Sequence, residues 1–418
     1  MLPLIKLPKR VVYVDDKGQF LDVLRMSLSR KSSRQFFDSP AVALEQLKYE
    51  IRNWKSVQEL LTDQAAGAEI AGLASVYITG YFNDWRRFHM TTVLVVDYGM
   101  PSMNGLEMLR QLGPWPGRKV LLTGEADAAV AISGFNAGLI QQFLPKGTPR
   151  LYHAIQELNN RMHDEVCFQL GQLLYNTIAS DRLQLLADEK VKEGILDKVE
   201  ELEWVEYIVL GHPFGLLGAT GDGQLQFLQL ETQESLEDVA DLAENHGASE
   251  VDVKHIRAGA VLPNIELATD CGYFDSKKME MNEAFDVCSQ PLVIGAVATV
   301  PLPILHNKVF STDDIMTSSD QIETVIDHAH QTYSHLKTLE ESLSASRSAV
   351  METMVASAKK SHNASLDQFV HLLNSHRDNP QRCRSVLIRK SFPVELNSKL
   401  EELTKNPPAE SASPNFTL

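Results

Sequence analysis

Five side chains in the first third of the chain have the types and the order that phosphoryl chemistry needs. Asp15 and Asp16 follow the apolar run Val11–Val14, Asp97 follows Val93–Val96, Thr123 follows Lys119–Leu122, and Lys146 follows Ile140–Leu144. Carboxylates gathered at one place cannot all stay ionised unless a cation compensates them. Asp15, Asp16 and Asp97 therefore predict a hard-cation site, for which Mg²⁺ is the fitting ion. Asp97, presented by a rigid buried strand, has the chemistry to attack phosphorus and form an aspartyl phosphate. The metal and Lys146 would stabilise charge on the transferring group, and the Thr123 hydroxyl would donate to a phosphoryl oxygen. A single aspartate at a strand end is ordinarily a cap or turn residue. Five such residues in order at successive strand ends make a stronger case.

These side chains need strands to deliver them. From Arg10 to about Leu158, short buried strands alternate with amphipathic helices, the pattern of a five-stranded parallel doubly wound α/β sheet. Strands predicted over Val11–Val14, Gln35–Phe37, Thr92–Val96, Lys119–Leu122 and Ile140–Leu144 put the chemistry at the carboxyl edge, where open α/β sheets bind ligands. Leu151, Ile155, Leu158, Met162, Val166, Leu170 and Leu174 keep helical spacing, so the last helix is expected to run on as a connector.

The segment resembles the receiver domain of bacterial two-component response regulators. The motif Asp97-Tyr-Gly-Met-Pro101-Ser-Met-Asn-Gly105-Leu-Glu107 is similar to the family's phosphoacceptor loop. Val11-Val-Tyr-Val-Asp15-Asp16, Leu121-Leu-Thr123-Gly124 and Phe143-Leu-Pro-Lys146 match its other signatures. The resemblance implies phosphorylation of Asp97 by a sensor histidine kinase or phosphotransfer protein. It also implies Mg²⁺ held by Asp15, Asp16, Asp97 and the Gly99 backbone carbonyl, with Thr123 and Lys146 reading the phosphate. Phe143 takes the aromatic switch position, and Glu125 joins Gly99 in tuning the lifetime of the phosphoryl group. The likeness covers about the first 158 residues and departs from the family twice. Lys146 is preceded by Pro145 and followed by Gly147, where the family places proline after the lysine. Asp97 also lies 81 positions after Asp16, about twice the family's spacing, so an insertion is expected at about 50–90. There Ile70, Leu73, Ala74, Tyr77, Tyr81, Trp85 and Phe88 fall on one helical face beside Arg86 and Arg87. That extra helix would serve as a partner surface or pack against the receiver or the next domain.

The rest of the chain matches no motif. The expected layout is a receiver over 1–158, connecting helices over 159–200, an α+β output or sensor-like domain over 201–318, a helical region over 319–405 and a disordered tail over 406–418. In the α+β part, Tyr207–Leu210 and Leu225–Leu230 predict hairpin strands with Gly221-Asp-Gly223 as a turn, Leu236–Glu244 a helix, and Val251–Ile256 and Leu292–Val300 further strands. Ile322, Ala329, Leu336, Leu343 and Val350 repeat every seven residues, which predicts a coiled coil between two copies or a helix packed on its own domain. The function expected is a response regulator whose phosphorylation controls homodimerisation or partner binding, with no catalysis beyond the receiver's own phosphoryl transfer. Two alternatives stand beside it. One is a nucleotide-acting output enzyme, which would need His212, Asp222, Asp252 and His255 in one pocket. The other is a transcription regulator acting through the basic run Arg377–Lys390.

Composition narrows the partners. With 39 Lys+Arg against 55 Asp+Glu and a net charge of −16, sequence-blind binding to nucleic acid or to an anionic membrane is disfavoured. The four cysteines, Cys167, Cys271, Cys288 and Cys383, form no C-x-x-C, and neither a disulfide scaffold nor a zinc ribbon is expected. The apolar stretches Ile70–Phe82 and Leu292–Leu305 are shorter than the roughly 18–20 residues of a membrane span. A cytoplasmic setting is the expectation.

Overall fold

The computed structural model describes residues 1–28, 33–67, 72–124, 128–305, 318–346, 349–375 and 393–405. Ile70, Glu125, the basic run Arg377–Lys390 and the tail after Lys405 lie outside them.

The strands are β1 (Ile5–Lys6), β2 (Arg10–Val14), β3 (Ser33–Phe37), β4 (Val93–Asp97), β5 (Arg118–Thr123) and β6 (Gln142–Pro145), then β7 (Trp204–Leu210), β8 (Gly215–Thr220), β9 (Leu225–Thr232), β10 (Val261–Pro263), β11 (Met281–Ser289) and β12 (Leu292–Thr299). β2 to β6 form a parallel sheet in the order β3-β2-β4-β5-β6, the doubly wound arrangement predicted. Both faces are covered, which is why the strands read as unbroken apolar runs rather than alternating ones. Val11, Tyr13, Val93, Val95, Val120 and Leu122 pack under the helices Gly18–Ser27 and Leu151–Gly171. Val12, Val14, Leu94, Val96 and Leu121 face the helices Pro40–Gly67 and Gly105–Leu112.

The second sheet is antiparallel, in the order β1-β7-β8-β9-β12-β11-β10. Its edge strand comes from the chain's beginning: Ile5 pairs with Ile208 and Lys6 with Tyr207. The residues before β2 thus belong to the second sheet, a placement that a two-residue strand cannot announce in sequence. The helix Leu151–Gly171 runs past the parallel sheet, as its periodicity predicts, and packs on β1. The β8–β9 turn closes through Gly223, whose N–H donates to Thr220 and whose φ of 91° favours glycine.

One expectation is corrected. Val251–Ile256 lies in a helix, Glu250–Arg257, rather than a strand. The Ser249 hydroxyl caps it by accepting from the Asp252 N–H, and Val253 and Ile256 turn inward at helical spacing while Val251 stays 61% exposed. Of the two readings of the heptad after Ile322, the structure has the helix packed within its own chain: the helices Ser318–Ser346 and Ala349–Ser375 pack on each other, and Ile322, Ala329 and Leu336 are fully buried.

The insertion is likewise internal. The second helix of the parallel-sheet domain extends to Gly67, and then come a short helix (Leu73–Val76), a π-helical turn (Tyr77–Phe82) and a 3-10 turn (Trp85–His89) in place of one continuous helix. Tyr77, Tyr81, Phe82 and Trp85 are buried, so the described part of the apolar stripe packs within the chain. Arg87 sits among them, its guanidinium 3.9 Å from the Phe88 ring centroid. It pairs with Glu206 of β7 at 3.0 Å, both side chains almost wholly buried, and donates to the carbonyl of Leu305. Breaking such a dry pair leaves an uncompensated charge. Arg87→Ala is expected to destabilise the protein by about 3–5 kcal/mol in urea denaturation, a cost that should shrink when Glu206→Gln is added.

Candidate phosphoryl-transfer site

Asp15 and Asp16 leave the end of β2, Asp97 closes β4, Thr123 closes β5, and Lys146 follows β6. The parallel register sets these ends side by side, with Asp97 opposite Leu122 and Thr123 opposite Pro145. One carboxylate oxygen each from Asp15, Asp16 and Asp97 lies within 4.8 Å of the others. Lys146 Nζ bridges two of them, 2.5 Å from Asp15 Oδ2 and 2.8 Å from Asp97 Oδ1. The Lys17 N–H donates to Asp15 Oδ1 at 3.0 Å, and the Gly99 N–H to Asp97 Oδ2 at the same distance.

The electrostatics follow from this packing. Burial raises Asp15 above the ordinary carboxylate range, against the opposing pull of Lys146. Burial alone would lower Lys146, but its hydrogen bonds and charge contacts with Asp15 and Asp97 prevail and raise it. The Phe20 ring lies 4.5 Å from Nζ and covers the ammonium. Phe20 has no counterpart in the sequence reading. Its signal there would be an aromatic in the first turn of the helix that follows the acidic pair.

Asp16 Oδ1 is buried and accepts no hydrogen bond. A carboxylate oxygen in that state costs free energy unless an unseen cation or water faces it. Three convergent carboxylates with one unsatisfied oxygen fit a hard divalent ion such as Mg²⁺.

Gly105 explains why the phosphoacceptor loop carries a glycine. A Cβ there would stand 2.3 Å from the Asp97 carbonyl oxygen, so a side chain would push the loop away from the end of β4. The turn after β6 is closed by the Lys146 N–H donating to the Thr123 carbonyl at 2.7 Å and the Thr148 N–H to Pro145 at 3.0 Å. These bonds fix Lys146 with proline before it rather than after. Phe143 is half-buried and meets Phe135 edge-on, ring centroids 6.1 Å apart.

The residues of the nucleotide-enzyme alternative are not brought together. His212 and Asp222 lie beyond opposite ends of β8, and Asp252 and His255 share the separate helix Glu250–Arg257.

The parallel sheet with its covering helices has the fold of a receiver domain, and the second sheet and C-terminal helices extend the likeness to a larger solved structure. The response regulator LqsR of Legionella pneumophila is similar over 72% of this chain and 90% of its own, at a TM-score of 0.52 and 23% identity. A response regulator receiver domain from Clostridium thermocellum covers 38% of this chain and 95% of its own at TM-score 0.26 and 16% identity. An adenylate cyclase structure from Rhodopirellula baltica covers 44% and 99% at TM-score 0.26 and 20% identity. No family model and no curated protein matches the sequence. Among the described residues no helix is long and apolar enough to cross a membrane.

The orphaned oxygen yields a direct test of the ligand set. Asp16→Asn is expected to weaken Mg²⁺ binding by about tenfold or more in isothermal titration. Unchanged affinity would remove Asp16 from the site.

Proposed function

We propose that the chain is a phosphorylation-controlled response regulator, with Asp97 accepting a phosphoryl group from a histidine kinase or phosphotransfer protein. The observation that carries this is Lys146 bridging Asp15 and Asp97 beside the unpartnered oxygen of Asp16. In-line attack by Asp97 Oδ forms an acyl phosphate while the donor's leaving group departs with its electron pair. Lys146 neutralises charge on the transferring oxygens, and the Thr123 hydroxyl donates to one of them. When bound, Mg²⁺ supplies further charge neutralisation through Asp15, Asp16, Asp97 and the Gly99 carbonyl.

Phosphorylation places roughly −1.5 to −2 charges on a residue whose carboxylate already engages Lys146 and the Gly99 N–H. Thr123 and Phe143 then report occupancy. Phe143 touches Phe135 on the helix Ala128–Asn136, where Phe135 and Ile132 are 39% and 60% exposed, and this face is the proposed surface for dimerisation or partner binding. Ile322, Ala329 and Leu336 of the heptad are buried within the chain and are not part of that surface.

The protein incubated with a small phosphodonor and Mg²⁺ is expected to gain the mass of one phosphoryl group by intact mass spectrometry, and Asp97→Asn to gain none. Undiminished labelling of that variant would defeat the assignment. Light scattering on the same samples reads the output. A molecular mass that does not rise on labelling excludes dimerisation as the response.

A further inference from the structure

The two sheets meet beside a second cavity that the phosphoryl site does not use. An open cleft of about 880 Å³ lies between β1, the helix Leu151–Gly171 and the helix Glu189–Glu201, within the ~300–1,000 Å³ usual for small-molecule sites. Apolar surface comes from Leu196 and Phe168, with Tyr207 buried behind them, and Phe168 is a large apolar side chain left 45% exposed.

Four cations on this cleft, Lys6, Arg118, Arg161 and Lys192, meet three carboxylates, Glu157, Asp164 and Glu165. Arg118 is engaged by Glu165 at 2.9 Å and Lys192 by Glu189 at 2.7 Å. Lys6, partly buried on the cleft wall, makes a single long hydrogen bond, 3.5 Å to the Trp204 carbonyl, although an ammonium has three donors. Asp164 on the same wall feels both Lys6 and Lys9 yet forms an ion pair with neither, and Lys6 also feels Glu200. Burial lowers Lys6 below its ordinary value, with weaker upward pulls from Cys167, Asp164 and Glu200, and pushes Lys9 down to about 8. A half-desolvated ammonium with unused donors beside an open apolar wall is complementary to an anion that carries an apolar body.

We infer that this cleft binds a small amphipathic anion, its carboxylate on Lys6 and its apolar part along Phe168 and Leu196. The inference stands apart from the chemistry at Asp97, since the cleft shares no residue with that site. Its walls come from both sheets, so the occupant touches the receiver's last helix and the second domain together.

Octanoate and its neutral isostere octanamide, titrated calorimetrically into the full-length chain, test the inference. Wild type is expected to bind one equivalent of octanoate, with octanamide about tenfold weaker or more. Lys6→Gln should bring octanoate down to the octanamide level. Phe168→Ala, at an open position that the fold does not need, should weaken both ligands severalfold. Lys190→Gln, which removes an exposed lysine of the neighbouring helix, should change neither. The inference is overturned if octanoate shows no saturable binding, if wild type binds the two ligands equally, or if Lys190→Gln costs as much as Lys6→Gln.

Discussion

A charge buried in a dry interior must meet its counter-charge there, and the architecture turns on one such requirement. Arg87, carried by the insertion, finds Glu206 on β7 and the carbonyls of Leu305 and Asp84. The pair can form only if the insertion, the second sheet and the segment after β12 close around it. A second arginine does the same at the start of the parallel sheet. Arg10 of β2 reaches Glu50 at 3.3 Å, Gln35, the Phe88 carbonyl and His89. A guanidinium only donates, so His89 Nδ1 is an acceptor and its proton lies on Nε2. That nitrogen is 2.7 Å from Nε2 of His328, on the helix Ser318–Ser346. Burial, the mutual contact and Arg10 hold His89 well below its usual range, and burial does the same for His328, which keeps the pair neutral. The insertion is therefore the element through which receiver, second sheet and C-terminal helices are held.

The legible part of the chain was the part where one residue type answers one local demand. Strand ends with acidic, hydroxyl and amine side chains, and strands buried on both faces, read directly from the sequence, and the carboxyl-edge cluster followed from them. The illegible parts are those decided by distant partners. Nothing local tells Ile5–Lys6 to join β7, since two residues carry no period. The stripe from Leu73 to Phe88 reads as a single amphipathic helix because periodicity is blind to breaks. Its π and 3-10 turns arise where Tyr81, Phe82 and Trp85 are all drawn into the core. Val251–Ile256 has strand-like composition, and only the capping serine and the burial of every third residue separate it from a strand. A heptad likewise specifies an apolar seam without naming the copy that fills it.

The two ends of β2 have opposite mechanical characters, and this determines where a signal can travel. At its start Arg10 is locked into a buried network of five groups from four segments, so displacement there would break several desolvated hydrogen bonds together. At its other end Asp15 is held by Lys17 and by Lys146, whose side chain remains one-fifth exposed. Under the proposed phosphorylation, a phosphoryl group on Asp97 would compete directly for Lys146, because the lysine's 2.8 Å bond is to the carboxylate that would carry the acyl phosphate. The ammonium must then divide its donors differently between Asp15 and the new oxygens. The sheet between is incompressible on this scale. On that proposal, movement would be absorbed where the fewest buried contacts oppose it: on the side of Phe143, half-buried against an exposed Phe135, rather than toward the arginine and histidine network. The size of that response is bounded by the difference in interaction free energy between the two arrangements of Lys146 and Phe143, since phosphorylation can shift an equilibrium by no more than it distinguishes its two states.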